Sequence, residues 1–543
     1  MHRNTLLTCA AALLVVTTLQ AQGPAPGFRL YGPHGTSDTF LVDNTGTVVK
    51  TWPSSGNPGN GVYLEQDGTL VRSQQLAGSP QIGGRGGRIV RVAFDGTNLW
   101  DYQLGGTTLW LHHDIALLPN GNVLAISWDL LTAQDAIDAG RDPATLASTE
   151  WLPDSIVEIQ QTGPETGDIV WEWHFMDHVI QDFDATKANF GVVADHPELL
   201  DINFPGDTLT NGEWNHCNNI AYDAANDIIL LNSPFQDEFY LIDHSTTTAE
   251  AAGSTGGNYG KGGDILYRWG NPQSYDRGTA ADQTLFFQHG SYIIPEGLPG
   301  AGNVLAFNNE AGTPSGQSFS SVVEIDIPSD FSLAPGAIWG PSGYVWEYQD
   351  PVPTNLYSSG LSSPERLPNG NTLVVSGRQA WLFEIDPTGQ KVWEFFPTVP
   401  TPPGLVFQVS YYERYLWADT ESVSWRTPTA VDFDLITGTA NAGDIYIMLG
   451  SASGTSPGIP GLGVSLPLND DAYLQFTATA AGGPVLPQFI GVLNGIGNAT
   501  ARLNLPRTPA LTGLTLNHAF VVVDSVTQAI NLVSNPVPLR FDS

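Results

Sequence analysis

Three histidines stand at equivalent places in a repeated sequence pattern, each just before the inner strand of a predicted hairpin. They are His113 in LHHDIALLPNGN, His216 in WNHCNNIAYD and His289 in FFQHGSYIIP. Imidazole side chains can act as nucleophiles, as general acids or bases, and as hydrogen-bond donors to an oxyanion. Three of them in one pocket would therefore offer a nucleophile together with its acid–base partners.

Taken singly, each histidine also has a structural interpretation. His113 beside Asp114 is typical of a turn histidine held by a carboxylate, His216 of a core residue that caps a strand, and His289 of a buried polar plug. Their equivalent placement favours a functional role, because packing alone gives no reason for the same residue type in three repeats. Zinc or copper binding is a further alternative, but no H-x-H or HExxH spacing supports it, and we predict neither a metal nor a cofactor. Six other histidines are interpreted as ordinary surface or loop residues: His34, His112, His174, His178, His196 and His244.

The elements that must position these histidines also repeat. Segments that end in or around tryptophan recur as VVKTW, TNLWDY, DIVWEW, ILYRW, GYVWEY and QKVWEF, and most are followed by a strand, a tight turn and a second strand. Four-stranded units repeated around an axis make a β-propeller, so we predict an all-β fold with six blades. Equivalent positions in different blades converge on the axis, which would bring histidines distant in sequence to one end of the channel.

Composition agrees with an all-β chain and excludes some partners. The 543 residues include 59 Gly and 39 Pro, as expected for a protein rich in turns. The formal net charge of −35 argues against nucleic acid or an anionic membrane as a partner. Only 14% of the residues are charged, so stability must come from buried apolar and aromatic area. The sequence carries no signal for an oligomeric state.

The chain divides into three predicted parts. Residues 1–21 read as a secretory signal peptide, with a basic start, an apolar stretch and a small residue at Ala21, so the protein is expected to be exported to the periplasm, the cell surface or the medium. No other segment is long and apolar enough to span a membrane. Residues 22–416 form the predicted propeller, and residues 417–543 form a predicted C-terminal β-sandwich of accessory function. Cys217 is then the sole cysteine, which rules out an internal disulfide.

The ordered motifs resemble those of the bacterial arylsulfate sulfotransferases, from about residue 27 to 416. The resemblance rests on HHD followed by LPNGN, on H-x-N at His216 and Asn218, on QH at Gln288 and His289, and on RLPNGNTL and FEIDPTGQKVWEF. It implies a six-bladed propeller that moves a sulfuryl group from a phenolic sulfate ester to a phenol, without a nucleotide sulfate donor. The C-terminal tail lies outside the resemblance.

The resemblance also implies roles for individual residues. His289 resembles the histidine that takes the sulfuryl group covalently. His216 and His113 resemble the histidines that bind the sulfate oxygens and assist proton transfer, with His112 as a substitute for His113. Asn218 and Gln288 would belong to the substrate-binding neighbours.

One position departs from the family pattern. The family has an arginine after the H-x-N motif, where it grips the sulfate, and this chain has Pro234 there. Arg366 in SSPERLPNGN or Arg378 in VVSGRQAW is expected to supply the missing charge from another blade; the alternative is that both are exposed turn arginines. The aromatic residues considered for an aryl pocket, each of which is otherwise a core residue, are Trp110, Trp214, Phe286, Phe287 and Tyr292.

We therefore expect an aryl sulfotransferase with a histidine-linked intermediate, a small aryl sulfate as donor and a phenol as acceptor. Two alternatives stay open. One is a non-catalytic exported propeller that binds a glycan, a peptide or a sulfated polymer. The other is an aryl sulfate hydrolase that passes the sulfuryl group to water.

Overall fold

The computed structural model describes residues 23–205, 211–426, 429–461, 464–505 and 507–542. The predicted signal peptide, residues 1–21, lies outside the described residues. Within the described ranges no helix has the length and apolar character needed to cross a membrane. The protein is all-β, and its few helices are short.

Six four-stranded antiparallel sheets make up the described chain between residues 28 and 412. We number them sheets 1 to 6 and give the strands of each from the innermost to the outermost. Sheet 1 contains Val406–Tyr412, Phe28–Pro33, Thr39–Val42 and Val48–Trp52; sheet 2 Pro58–Leu64, Leu70–Gln75, Gly87–Val92 and Asn98–Gln103; sheet 3 Leu109–Leu117, Val123–Asp129, Asp154–Gln161 and Gly167–His174; sheet 4 Asn219–Asp223, Ile228–Ser233, Glu238–Asp243 and Tyr267–Trp269; sheet 5 His289–Ile293, Val304–Asn308, Ser321–Ile325 and Trp346–Tyr348; and sheet 6 Ser363–Arg366, Thr372–Ser376, Trp381–Ile385 and Lys391–Phe395.

The innermost strands form a closed ring. From sheet 2 to sheet 6, the innermost strand of each sheet contacts the innermost strand of the next. The innermost strand of sheet 6 contacts Val406–Tyr412, the innermost strand of sheet 1, and Val406–Tyr412 contacts the innermost strand of sheet 2. Sheet 1 joins the two ends of the region, because Val406–Tyr412 pairs antiparallel with Phe28–Pro33. This pairing gives Phe28–Pro33 a hydrogen-bonded neighbour on both sides, so that sheet 1 has four strands like the other five.

The repeated sequence features explain the repeated structure. The tryptophan that marks each repeat lies in the outermost strand of its sheet. Several of these indoles donate a hydrogen bond to a carbonyl in or near the following sheet: Trp100 to Thr166 at 3.0 Å, Trp269 to Pro341 at 2.7 Å and Trp393 to Asn44 at 2.8 Å. In the LPNGN turn of sheet 3, Gly121 takes a positive φ of 85°, and the Asn120 side chain accepts from the Asn122 amide at 2.9 Å.

Shorter elements fill the connections between the sheets. The described residues contain three α-helices, Ala133–Asp138, Thr248–Ala251 and Ala472–Ala480. They also contain the two-residue strand pairs Leu131–Thr132 with Glu150–Trp151 and Val179–Ile180 with Leu200–Asp201. Single 3₁₀ turns lie at Pro143–Thr145, Phe175–His178, Val193–Asp195, Pro272–Tyr275, Thr313–Ser315, Pro353–Asn355, Gly377–Gln379, Thr439–Asn441 and Pro509–Leu511.

The C-terminal region contains two further sheets and a hairpin. One sheet has three strands, Leu416–Ala418, Thr429–Ile436 and Asn498–Leu505. The other has six, Ser422–Ser424, Val537–Asp542, Thr515–Val523, Ile445–Ser451, Ile490–Val492 and Ile530–Val533, and the hairpin pairs Ile459–Gly461 with Val464–Leu466.

The C-terminal region shares one hydrophobic core with sheets 1 and 2. A single buried cluster contains Phe433 and Phe520 of the C-terminal sheets together with Trp52 and Phe94 of the ring. Trp417 stacks on Phe94 with ring centroids 4.9 Å apart. The region is therefore packed into the ring rather than joined to it by a free linker.

This packing occurs at the end of the ring away from the predicted histidines. Phe94 and Asp43, whose carboxylate accepts from the Thr439 amide at 2.8 Å, lie in turns at the end where the innermost strands finish. The three histidines lie where the innermost strands begin. The C-terminal region thus packs on sheets 1 and 2 at one end of the ring, and the other end carries the histidines.

Candidate functional site

The three predicted histidines meet at one end of the ring, although they come from sheets 3, 4 and 5. The rings of His113 and His216 are in edge-to-face contact, with centroids 4.7 Å apart. The ring of Phe407 lies near both His113 and His289: its centroid is 6.4 Å from that of His113 and 6.3 Å from that of His289. The convergence expected from the repeat positions is therefore present.

Irregular backbone aims these side chains into the ring. His113 and His216 have positive φ values of 48° and 54°, and Phe287, two residues before His289, has φ 56°. Such values are uncommon for residues other than glycine, and they concentrate at functional sites. The strands that carry His113 and His289 also shift register there, in the manner of β-bulges that redirect a side chain.

The surroundings of His289 fix its tautomer. Its Nδ1 lies 2.9 Å from Oδ1 of Asn309, whose own Nδ2 donates to the carbonyls of Ser358 at 2.7 Å and Leu361 at 2.9 Å. Because the amide nitrogen of Asn309 is committed as a donor, its oxygen must accept, and His289 must carry its hydrogen on Nδ1. Burial lowers the pKa of His289 to about 3, so the ring is neutral and Nε2 presents a lone pair.

His216 has the opposite electrostatic setting. Its Nδ1 is hydrogen-bonded to the carboxylate of Glu213, and both side chains are buried. Burial alone would lower the pKa of His216, but the negative charge of Glu213 outweighs it and the pKa is raised. The ring also stacks on Phe235 at 4.6 Å. His216 is thus the imidazole of the cluster that best holds a proton, which it can present on Nε2.

The side chain of His113 contacts that of a second histidine, His112. The Nδ1 atoms of His112 and His113 are 2.7 Å apart, and Nε2 of His112 lies 3.0 Å from a carboxylate oxygen of Asp154. Burial, together with the neighbouring imidazoles, lowers the pKa of His113 well below its usual value. His112 stacks on Trp128 and is 2% exposed, so the interpretation of His112 as a surface or loop residue is wrong.

The other histidines lie outside the cluster. His178 was expected to be a surface or loop residue: it lies in the turn Phe175–His178 as a loop residue, but it is 1% exposed and bonded to Asp264 and to the carbonyl of Ala251. His196 is exposed. His34, His174 and His244 are partly buried, each beside an asparagine or a carboxylate.

Asn218 and Gln288 form a buried network behind the histidines. The Asn218 amide donates to the carbonyl of Gln288 at 3.1 Å and accepts from Asn232 at 2.7 Å. The Gln288 side chain donates to the carbonyl of Glu238 at 2.7 Å. Because both side chains are buried and bonded to the protein, they hold in place the segment that leads into the strand His289–Ile293.

The two candidate arginines differ. Arg366 is ion-paired with Glu324 at 2.7 Å and lies over the ring of Trp346, and none of its contacts involves the histidine cluster. Arg378 is exposed, and its guanidinium has no ion pair or hydrogen bond among the described residues. It lies near Phe287, because a Cβ placed on Gly360 would be 3.6 Å from Arg378 Nη2 and 3.8 Å from Phe287 Cε1. Its charge also contributes, after burial, to the low pKa of His289. The structure therefore brings Arg378, and not Arg366, to the site.

Among the proposed aromatic residues, Phe287 contacts the cluster, with its ring 5.8 Å from that of His289. Trp110 and Trp214 are buried in core clusters. Tyr292 lines a cavity of about 370 Å³ inside the ring, on the side away from the histidines.

Sequence reasoning missed four residues that shape the site. Glu213 stands three residues before His216, and this local spacing could have revealed it. Phe235 follows Pro234 directly in the sequence, and its ring stacks on the ring of His216. Asn309 and Phe407 arrive from other strands, and nothing near the histidines in sequence points to them.

The fold and site together define an all-β protein in which a closed ring of four-stranded sheets holds two imidazoles of opposite character, His289 with a lowered pKa and His216 with a raised one. The chain belongs to the arylsulfotransferase (ASST) family, whose model matches residues 20–396. Family membership supports an arylsulfotransferase-like function in general. No curated protein matches the chain significantly.

Several solved structures are similar to the chain at low sequence identity. A protein of unknown function from Bacteroides caccae is 13% identical, with a TM-score of 0.39, over 71% of this chain and 98% of that one. A putative 6-phosphogluconolactonase from Bacteroides fragilis is 10% identical, with a TM-score of 0.36, over 72% and 98%. The virginiamycin B lyase of Staphylococcus aureus is 11% identical, with a TM-score of 0.30, over 71% and 79%.

Proposed function

We propose that this protein is a six-bladed β-propeller enzyme that transfers a sulfuryl group from a phenolic sulfate ester to a phenol through an intermediate on His289. The observation that carries the proposal is the contact between Asn309 and His289, which leaves Nε2 of a neutral imidazole free to attack. The six sheets around a closed ring support six blades. The two C-terminal sheets with a common core support a β-sandwich.

The first half of the reaction forms the intermediate. Nε2 of His289 attacks the sulfur, an N–S bond forms, and the bond between sulfur and the aryl oxygen breaks with its electron pair leaving on the phenolate. His216 donates its Nε2 proton to that oxygen, and the first phenol departs. The Nδ1 hydrogen of His289 stays on the ring, where the Asn309 oxygen stabilises the positive charge that develops.

The second half returns the enzyme to its starting state. A second phenol gives its proton to His216, which is now neutral, and its oxygen attacks the sulfur. The N–S bond breaks, and its electron pair returns to Nε2 of His289. His113, whose ring contacts His112, would hydrogen-bond a sulfuryl oxygen during both halves.

Positive charge must be supplied locally, because the net charge of the protein is −35. Protonated His216 is one source. Arg378 is the second, since its guanidinium is not engaged by another described residue and lies on the His289 side of the site. Preorganised donors of this kind typically contribute 10²- to 10³-fold in rate.

Phenylalanine rings surround the reacting groups and would bind the aryl part of the donor. Phe235 and Phe287 have centroids 6.0 Å apart, and Phe407 closes the side between His113 and His289. Aromatic pairs prefer offset or edge-to-face contacts at about these separations, which suits a phenyl ring better than an alkyl chain.

The direct test is a chromogenic aryl sulfate assay on the protein without its first 21 residues, with and without a phenol acceptor. We expect phenol release that depends on the acceptor, loss of turnover in His289→Asn, and a mass increase of one SO₃ group on wild-type protein incubated with donor alone. Release independent of the acceptor would instead support the sulfate hydrolase, and no release at all would support the binding module.

We further propose that the protein is exported to the periplasm, the cell surface or the medium, on the strength of the signal-peptide pattern. Fractionation of cells that express the full chain tests this. Recovery of uncleaved protein from the cytoplasm would contradict export.

A further inference from the structure

A glycine-rich connection in sheet 2 lies directly against two of the imidazoles. This glycine segment, residues 82–86, joins the strands Leu70–Gln75 and Gly87–Val92. A Cβ on Gly84 would lie 2.0 Å from Cε1 of His113, and a Cβ on Gly83 would lie 3.3 Å from Cε1 of His216. The His113 amide also donates to the Gly84 carbonyl at 2.6 Å. The segment therefore touches both rings through backbone that has no room for a side chain at residue 84.

The segment is anchored on both sides of these glycines. Ile82 is buried against Trp110 and Trp128 of sheet 3. Arg85 forms an antiparallel bridge with His112, the residue that backs His113. The position of the segment relative to the histidines is therefore set by packing and by pairing with sheet 3.

The segment offers donors that the rest of the described chain does not use. Among the described residues the amides of Gly83 and Gly84 make no hydrogen bond. The guanidinium of Arg85 is exposed and makes no ion pair there either. Successive amides around a residue with positive φ, as at Gly84 with φ 72°, commonly form an anion-binding concavity.

We propose that Gly83, Gly84 and Arg85 form a second anion-binding element of this site, which holds the sulfuryl oxygens on the side of His113 and His216. The inference rests on the proposed function. Arg378 lies on the His289 side, and the segment after His216 carries Pro234 with no charge of its own. The glycine segment would supply donors to the remaining oxygens, with Arg85 contributing the charge and the two amides the geometry.

The first test measures binding without turnover. Inorganic sulfate is titrated calorimetrically into His289→Asn, and into the same variant carrying Arg85→Ala, Arg85→Lys or Arg502→Ala. Arg502 is an exposed arginine of the C-terminal region, so its loss controls for net charge. We expect at least tenfold weaker sulfate binding with Arg85→Ala, partial recovery with Arg85→Lys, and no change with Arg502→Ala. Equal affinity of the Arg85→Ala and Arg502→Ala proteins would overturn the proposal.

The second test separates contact with His113 from backbone strain. Gly84→Ala and Gly121→Ala both place alanine at a positive φ, 72° and 85°, but a Cβ at residue 121 meets nothing within 4 Å. Both variants should lose thermal stability from the shared backbone strain, and Gly84→Ala should lose more because its Cβ also meets His113. In folded protein, we expect a loss of aryl sulfate turnover of at least about 100-fold only in Gly84→Ala. Equal turnover in the two variants would contradict the proposal.

The two proposals can fail separately. If the wild-type protein turns over no aryl sulfate, yet sulfate binding depends on Arg85, the proposed function is wrong and the anion site stands. If turnover is normal and neither Arg85→Ala nor Gly84→Ala differs from its control, the anion site alone is wrong.

Discussion

The Asn309 side-chain oxygen accepts a hydrogen bond from Nδ1 of His289 at 2.9 Å, while the Asn309 nitrogen is tied to two backbone carbonyls. This relationship decides which nitrogen of the imidazole is available for reaction. Second-layer hydrogen bonds that select a histidine tautomer are known to matter strongly for catalysis.

Asn309→Ala should lower kcat by about 100-fold or more, because His289 would no longer be held in the Nδ1–H tautomer. Asn309→Asp restores an acceptor and should recover part of the loss, but its carboxylate would raise the pKa of His289 and introduce an acid limb in the pH–rate profile. Circular dichroism and thermal melting show whether both variants are folded. Equal kcat values for the alanine and aspartate variants, in folded proteins, would mean that Asn309 acts only structurally.

Activity should fall as the pH rises through the pKa of His216, because the protonated ring is the proton donor. Glu213 raises that pKa, so Glu213→Gln should move the alkaline limb of kcat/KM to lower pH. His289, with a pKa of about 3, should contribute no acid limb near neutrality. The pH–rate profiles of wild type and Glu213→Gln, with an NMR titration of the His216 ring, test this. An unmoved alkaline limb would assign the proton to another group.

Arg378→Ala should reduce kcat/KM for the aryl sulfate by about 10²- to 10³-fold, and Arg378→Lys by less. Arg366→Ala is the matched control. It leaves Glu324 without its partner, so it should lower the thermal stability while preserving kcat. A loss of turnover confined to Arg366→Ala would reverse the assignment of the two arginines.

Acid should destabilise the C-terminal region through His518, which is separate from the site. Burial lowers the pKa of His518 to about 3, whereas the unfolded chain has a histidine pKa of about 6.5. The neutral buried ring therefore contributes stability above about pH 6.5, and this contribution is lost as the pH falls towards 3, at up to about 1.4 kcal/mol per pH unit. When urea unfolding is measured across this pH range, the free energy of unfolding of His518→Phe should fall less steeply with decreasing pH than that of wild type. Parallel curves would show that His518 does not titrate on unfolding.

Trp417→Ala should destabilise the protein by about 3 to 5 kcal/mol, because it removes a buried ring that stacks on Phe94 of the ring of six sheets. Urea unfolding measures the loss. Turnover at a temperature where the variant is folded should match wild type, since the substitution lies at the other end of the ring from His289. Independent unfolding of the two regions in the wild-type protein would contradict a shared core.

The repeat pattern predicted much of the architecture, because tryptophans in outermost strands and Asn-Gly turns are local features of the sequence. It also predicted that His113, His216 and His289 converge. It did not predict the burial of His112, because a bulge turns two successive residues inward where a regular strand would alternate them. The choice between Arg366 and Arg378 depends on Glu324, which lies in another sheet and has no signal in the sequence around either arginine.

The pairing of Val406–Tyr412 with Phe28–Pro33 has a consequence for biosynthesis. Phe28–Pro33 can pair with Thr39–Val42 as soon as both are made, but its partner on the other side lies at the far end of the ring region. Until Val406–Tyr412 has been synthesised, that side of Phe28–Pro33 is an unpaired backbone edge, so sheet 1 and closure of the ring must wait for translation of the whole region.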